Sequence, residues 1–323
     1  MSSDGAIDLI YEQRLREELT MADALAAARV ALRGYSEGNI RIVASVLDLD
    51  RGDVHVKGAY AIGEEQFVVK IASWVPPEDV GKAVHGGGSL ICDAATGHPV
   101  ALLLDEHYLS SLRTAAASAV AADALARTNS VVLGIVGTGA QGQLQVEALA
   151  EVRPLRQVLI HGRRREAAEA LVELLQDKLA AEVCVADSVL EVMGMADIVV
   201  TATASRRPFI SASSLRPGQH LSAIGADGAG KAELALDCFS RARVFVDSVA
   251  QSAPTAEIGA AIEAGLYARD QIAGEIGGVL AGQIEGRRDE EEITIAKMTG
   301  IGALDLAIAQ AAMKRCQGGE APS

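Results

Sequence analysis

Apolar positions recur along this chain in two rhythms, and the change between them falls near residue 129. Before it, "MADALAAARVALR" (21–33) spaces its apolar residues as a helix does, and "GYSEGN" breaks the pattern with two glycines and an asparagine. One helix and a loop are predicted. Short alternating or β-branched runs follow, "IRIVASVLDLD", "DVHVKGAYAI" and "QFVVKIASWV", separated by the turn-formers "DRGD" and "GEE". They predict a meandering antiparallel sheet. "SLICDAAT" and "GHPVALLLD" add a further hairpin, and the alanine-rich "SLRTAAASAVAADALAR" (111–127) is a helix by propensity.

Beyond Asn129 apolar strands alternate with amphipathic helices. "VVLGIV", "QVLIHG", "EVCVAD", "DIVVTATA", "HLSAIGA" and "ARVFVD" are the strands, with stretches such as "REAAEALVELLQDKLAA" between most of them. That alternation predicts a Rossmann-type, doubly wound parallel sheet, so the fold class is α/β with a smaller α+β domain built on the antiparallel sheet. The tail "EITIAKMTGIGALDLAIAQAAMKR" offers a short strand, a glycine turn and an apolar helix that is expected to pack back on the first domain.

Composition narrows the partners. A formal charge of -14 over 323 residues, with no Lys/Arg block, repels a phosphate backbone and excludes nucleic acid as the expected partner. The cysteines (Cys92, Cys184, Cys238, Cys316) lie far apart, and the six histidines form no i, i+4 pair, so neither a metal site nor a disulfide framework is expected. An acidic start without an apolar leader, and no long uncharged apolar run, predict a cytoplasmic protein without a membrane span.

Chemistry enters at "GTGAQG". Gly137, Gly139 and Gly142 take the G-x-G-x-x-G spacing directly between a strand and a helix. The first suits the tight turn, the second lets backbone approach a pyrophosphate, and the third lets helix and strand pack closely. After the next strand an acid would bind a ribose 2′-OH, but this chain has Arg163, Arg164 and Arg165. Guanidinium groups bind phosphate in paired, charge-assisted hydrogen bonds, so NADP(H) is favoured and NAD(H) remains possible. The other reading of the arginines is an exposed helix start.

Lys70, in "FVVKIA", shares a strand face with Val68 and Ala72. It faces either a polar cleft or water at a sheet edge, since a buried unpaired ammonium is costly. Arg113 begins the alanine-rich helix by this reading, where guanidinium and helix N-terminus would converge on an anion; the alternative is a surface ion pair. Asp227 follows a parallel strand at its C-terminal end, facing the ligand crevice or making an Asx turn before Gly228.

"LRTAAASAVAADALAR", "GIVGTGAQG" and "AIGADGAGKAEL", in that order, resemble the ornithine cyclodeaminase / mu-crystallin family. "VHVKGAYAIGEEQFVVKIAS" and "VRPLRQVLIHG" are most similar to its ketimine-reductase and ectoine-utilisation branches. The resemblance implies a homodimer with a substrate-binding and dimerisation domain (1–113 and 302–323), a dinucleotide-binding domain (114–301), and an active site between them. Exposed strand edges at "DVHVKGAY" and "QFVVKIAS" are expected to drive the dimer. Carried over by motif, Lys70 and Asp227 are the catalytic residues, and Arg41, Lys70, Arg113 and Thr299 bind substrate. The cofactor contacts are Arg113, Thr114, Gly137, Thr138, Gly139, Ala140, Gln141, Gly142, the three arginines 163–165, Thr201, Ala202, Thr203, Ala223, Ile224, Gly225, Lys231 and Met298.

The leading activity is an NAD(P)H-dependent reductase of 2-imino acids (ketimines) to L-amino acids, or the reverse amino-acid dehydrogenation. The alternatives are a cyclodeaminase-type lyase that releases ammonia with bound NAD, and a non-catalytic NADPH-binding protein like mu-crystallin. An aromatic content of 3% argues against binding an iodinated ring. Lys57, one strand over from Lys70, either meets a distal carboxylate, as in iminosuccinate, or stands in solvent.

Overall fold

The computed structural model describes residues 7–75, 84–226, 228 and 230–319, and the chain divides into two compact units, 1–113 with 301–323 and 114–300. In the first, strands β1 (Asp8–Tyr11), β2 (Ile40–Asp48), β3 (Asp53–Ala61), β4 (Gln66–Val75), β5 (Val84–Asp93) and β6 (Pro99–Leu104) form one sheet in the order β1-β6-β5-β4-β3-β2. β2 to β6 are the antiparallel meander. β1 pairs parallel to β6 and was not foreseen, because four residues are too few to show an alternation.

Alternation gives this sheet two unlike faces. Ile40, Ala59, Val68 and Ile91 share the buried face, against which the C-terminal helix (Gly302–Cys316) packs. A Cβ at Gly302 would come within 2.8 Å of the Gly58 carbonyl oxygen, so a glycine lets that helix start close to β3. The helix also packs on the helix Met21–Ser36, whose N-terminus is closed by a capping box between Thr20 and Asp23. Arg315 of the C-terminal helix bonds the same Asp23 carboxylate at 2.7 Å and 3.0 Å, which fastens the two helices.

On the other face Val43, Leu47 and Ile71 are 66%, 59% and 49% exposed, a bare apolar surface. This corrects the expectation about edges. β3 and β4 are interior strands with both edges paired, so "DVHVKGAY" and "QFVVKIAS" expose no edge; what stands uncovered is a sheet face.

The second unit holds eight strands in the order β13-β12-β14-β11-β10-β7-β8-β9, and each pair is parallel. They are β7 (Val132–Val136), β8 (Gln157–His161), β9 (Glu182–Val185), β10 (Ile198–Thr201), β11 (His220–Ala223), β12 (Arg243–Val246), β13 (Gly274–Glu275) and β14 (Thr294–Lys297). Val199, Leu221, Val244 and Ile295 are among the residues that fill its core. The order runs outward from β7 through β8 on one side and β10 on the other, so the C-terminal end of β7 lies at a topological switch point. The tail strand β14 inserts between β11 and β12 before the chain passes to the C-terminal helix.

Candidate functional site

Two sites are built, one on each unit. On the helix-covered face of the first, Lys70 of β4 is only 6% exposed. A charged group there needs a partner, and the C-terminal helix supplies Asp305, 3% exposed, whose Oδ1 lies 3.0 Å from Lys70 Nζ. The same oxygen accepts from Arg113 Nε, also at 3.0 Å. One carboxylate oxygen therefore joins two cations from a strand and a helix. Lys70 is on an interior strand with its amine in an ion pair, which removes the solvated-edge reading.

Arg113 comes to this point from a different place than expected. The helix runs Tyr108–Leu125, with Asp105 accepting the Leu109 N–H at 2.9 Å near its start, so Arg113 lies in the second turn and not at the N-terminus. Its anion is the Asp305 carboxylate.

Burial lowers the Lys70 pKa to about 8; Asp305 opposes the shift, and the nearby charges of Arg113 and Lys57 reinforce it. Burial alone would raise Asp305, but Arg113, then Lys70 and Lys57, hold it down at about 2. Burial raises Asp105. The cluster is a charged carboxylate between two cations, one of which titrates near neutrality. Arg41 does not join it: it is exposed, and its partner Tyr60 in the register lies on the opposite sheet face from Lys57 and Lys70.

On the second unit, Gly137 has φ +130°, a conformation open to glycine, and a Cβ there would lie 2.4 Å from the Ala202 carbonyl oxygen. A Cβ on Gly142 would lie 2.4 Å from the Gly137 carbonyl oxygen, so helix Ala140–Val152 packs on its turn only with glycine there. Gly139 is the helix N-cap and meets open space. The turn thus leaves a helix N-terminus uncovered at the switch point, which fits a pyrophosphate by the chemistry of its free N–H groups.

Past β8, Arg163 and Arg164 are exposed, whereas Arg165 is taken up by ion pairs with Asp187 and Glu169. Thr138 packs against Gly162 at the end of that strand.

The loops after β10 and β11 are tied by a residue not picked out from the sequence. Glu233, fully buried, accepts from Thr201 Oγ1 at 2.8 Å, Thr203 N at 2.7 Å, Thr203 Oγ1 at 2.8 Å and Gly225 N at 2.9 Å. Its own N–H donates to Glu257, which pairs at 2.9 Å with the fully buried Lys297, and Lys297 Nζ donates to the carbonyl of Ala226. The stretches 201–203 and 223–226, which include the expected contacts Ala202, Ala223 and Ile224, are held by one polar network. Met298 N donates to Ala223 O, and Asp247 accepts from Thr299 N and Gly300 N.

Thr114 stands in helix Tyr108–Leu125 and Gln141 in the helix after the turn. Lys231 precedes the network by two residues. Asp227 lies outside the described residues. Among the described residues no group of three His, Cys, Asp or Glu could hold a metal ion, and no helix is long and apolar enough to cross a membrane.

Comparison with known proteins accords with this architecture. An uncharacterized cyclodeaminase of Sinorhizobium fredii is 40% identical over 316 residues, 96% of each chain. A Delta(1)-pyrroline-2-carboxylate reductase of Bacillus cereus is 31% identical, over 94% of each chain. Among solved structures, an archaeal alanine dehydrogenase dimer with bound NAD has a TM-score of 0.91 at 30% identity, covering 97% of this chain and 96% of that one. A Delta(1)-pyrroline-2-carboxylate reductase of Thermococcus litoralis, in complex with NADH and L-proline, has a TM-score of 0.91 at 25% identity (97% and 98% covered). The iminosuccinate reductase of Paracoccus denitrificans with NAD+ has 0.88 at 29% (97% of each). The model of the ornithine cyclodeaminase/mu-crystallin family matches residues 8–320, and this chain belongs to that family.

Proposed function

We propose that this protein is an NAD(P)H-dependent reductase that converts 2-imino acids (ketimines) to L-amino acids, and that run in reverse it is an amino-acid dehydrogenase. The observation that carries the reading is the pair of cations, Lys70 and Arg113, gathered on one buried Asp305 oxygen. The glycine turn supports it from the other unit, as do relatives whose names specify pyrroline-2-carboxylate and iminosuccinate reduction and alanine dehydrogenation.

The turn 137–142 and the loops 201–203 and 223–225 hold the dinucleotide. The chemistry that a reduced nicotinamide held by these residues would supply is hydride donation to a C=N carbon. Arg113 holds the substrate carboxylate by charge and a hydrogen-bond fork, an interaction present before and during reaction. Lys70 contributes a fixed positive charge beside that carboxylate and the reacting carbon, oriented by Asp305 and so not reorganised during the reaction. Asp227 gives a proton to the imine nitrogen as that nitrogen becomes basic.

Arg163 and Arg164 take the 2′-phosphate and make NADPH the preferred cofactor, while Arg165 braces the helix start. The bare sheet face of Val43, Leu47 and Ile71 joins two copies into a homodimer. The four cysteines are unpaired, which suits a cytoplasmic protein.

A second reading, a lyase that oxidises ornithine transiently and expels ammonia, is favoured by the cyclodeaminase relative. Following the absorbance of reduced nicotinamide with a panel of 2-oxo acids plus ammonia or amines, beside an ammonia assay with ornithine, separates them. Net oxidation of the cofactor supports the reductase. Ammonia release from ornithine without net redox change supports the lyase, and neither signal leaves a binding protein.

A further inference from the structure

We propose that Thr299 accepts a hydrogen bond from the substrate nitrogen and that Asp247 is the positioning residue that gives Thr299 this polarity; this rests on the reductase reading above. Asp247 lies just past β12 and Thr299 just past β14, its neighbour in the sheet. Both therefore stand at C-terminal strand ends, the side on which an open parallel sheet binds its ligand. Asp247 is 1% exposed, whereas Thr299 is partly exposed.

The Asp247 carboxylate is surrounded by donors from three segments. Its Oδ2 accepts from Thr299 N at 3.0 Å and Gly300 N at 2.6 Å, which fixes the backbone after β14. Its Oδ1 accepts from Ser248 N at 3.0 Å, Ser252 Oγ at 3.0 Å and Thr299 Oγ1 at 3.4 Å.

These contacts set the direction of each hydroxyl. An ionised carboxylate only accepts, so Ser252 spends its one proton on Asp247. Ser252 Oγ also lies 3.4 Å from Thr299 Oγ1, and with its proton committed it meets Thr299 as an acceptor. The Thr299 hydroxyl thus has two acceptors on its protein side, and its own proton points inward. Both contacts are long for O–H···O bonds, so Oγ1 has room to shift toward a ligand.

What Thr299 presents outward is a lone pair. That suits an N–H, which an amino acid and a protonated imine both carry. A 2-oxo acid brings a carbonyl oxygen, which also only accepts, and two acceptors facing each other are left unsatisfied. Thr299 and Asp247 together select C=N over C=O, and they favour the protonated imine, the more electrophilic form.

The test takes the L-amino acid formed fastest in the panel above and the 2-oxo acid it came from. Each is titrated, without ammonia, against the enzyme loaded with reduced cofactor, and the ratio of the two Kd values is read. That ratio is independent of the fraction of a variant that folds, and a loop that is merely loosened weakens both ligands alike. The wild type should prefer the amino acid by about tenfold or more, and Thr299→Ser, which keeps the hydroxyl, should keep the preference. Thr299→Val removes the acceptor and should lower the ratio by about tenfold. In Asp247→Asn the amide nitrogen takes the Oδ1 place, because Oδ2 faces two backbone N–H groups; it donates to Thr299, turns that hydroxyl outward and lowers the ratio at least as far. Ser252→Ala, which removes one inward acceptor and leaves the backbone bonds in place, should lower it partway. A wild-type preference for the 2-oxo acid, a wild-type ratio in Thr299→Val, equal losses in Thr299→Ser and Thr299→Val, or no change in both Asp247→Asn and Ser252→Ala overturns the assignment and leaves the reductase reading standing. A panel in which no amino acid forms overturns both.

Discussion

Asp305→Asn keeps the side-chain shape and removes the charge that Lys70 and Arg113 share. Both contacts are 3.0 Å, and at an effective dielectric of about 20 each is worth about 5 kcal/mol before the cost of desolvation. Breaking a buried pair by deleting one partner typically costs ~3–5 kcal/mol, which for a unit of this size lowers Tm by roughly 10 °C. The sharper consequence is in titration. Lys70 sits at about 8 with Asp305 supporting its charged form and with Arg113 and Lys57 opposing it. Each ~1.4 kcal/mol of lost support is one pKa unit, so even a third of one contact moves Lys70 down by about a unit or more.

A lysine is charged below its pKa, so activity that needs the ammonium is present at low pH and lost as pH rises through that value. The wild type should lose kcat/KM as pH rises through about 8, and the variant at least about one unit lower. The assay is the pH profile of imine reduction from about pH 5.5 to 9.5, with thermal melts alongside. An Asp305→Asn profile that overlays the wild type's, at unchanged Tm, would refute the claim that this carboxylate sets the charge of Lys70.

Three further outcomes are expected. Glu233→Gln places an amide donor against N–H and O–H groups that now donate to a carboxylate, so it should raise the Kd for NADPH by about tenfold or more, as one or two lost charge-assisted bonds do; equal titration by fluorescence would count against the network. Replacing Arg163 and Arg164 together with Ala should weaken NADPH and leave NADH nearly unchanged, and equal loss for both would remove the phosphate assignment. Asp227→Asn should lower kcat by ~10²–10⁴ while NADPH binding survives, and near-normal kcat would mean that the proton comes from elsewhere.

What was legible in the sequence is what is local. The strand, glycine turn and helix around Gly137 lie within one short segment, and β2 to β6 show their alternation residue by residue. The arrangements that depend on distant segments were not legible. Asp305 reads as one acid in the apolar stretch "GALDLAIAQAAMKR", 235 positions from Lys70 and 192 from Arg113. Its signal was there: an acid on a helix with apolar residues all round has no solvated face and needs a cation. Glu233, Glu257 and Lys297 come together from three segments, and nothing in their spacing shows it. The start of the helix at Tyr108 was hidden because Glu106 and His107 adopt positive φ, 47° and 72°, a conformation uncommon for residues other than glycine. The interior position of β3 and β4 is a matter of sheet order, which alternation does not encode.

Isotope tracing tests net hydride transfer to the imine carbon. Reduced nicotinamide cofactor carrying deuterium at the transferable position is incubated with the enzyme, a 2-oxo acid and ammonia, and the amino acid formed is analysed by mass spectrometry and chiral chromatography. An L-amino acid with one deuterium on its α-carbon, formed in equal amount to the cofactor oxidised, is expected. An amino acid without the label, or no amino acid while ornithine loses ammonia in the presence of the oxidised cofactor, would contradict it.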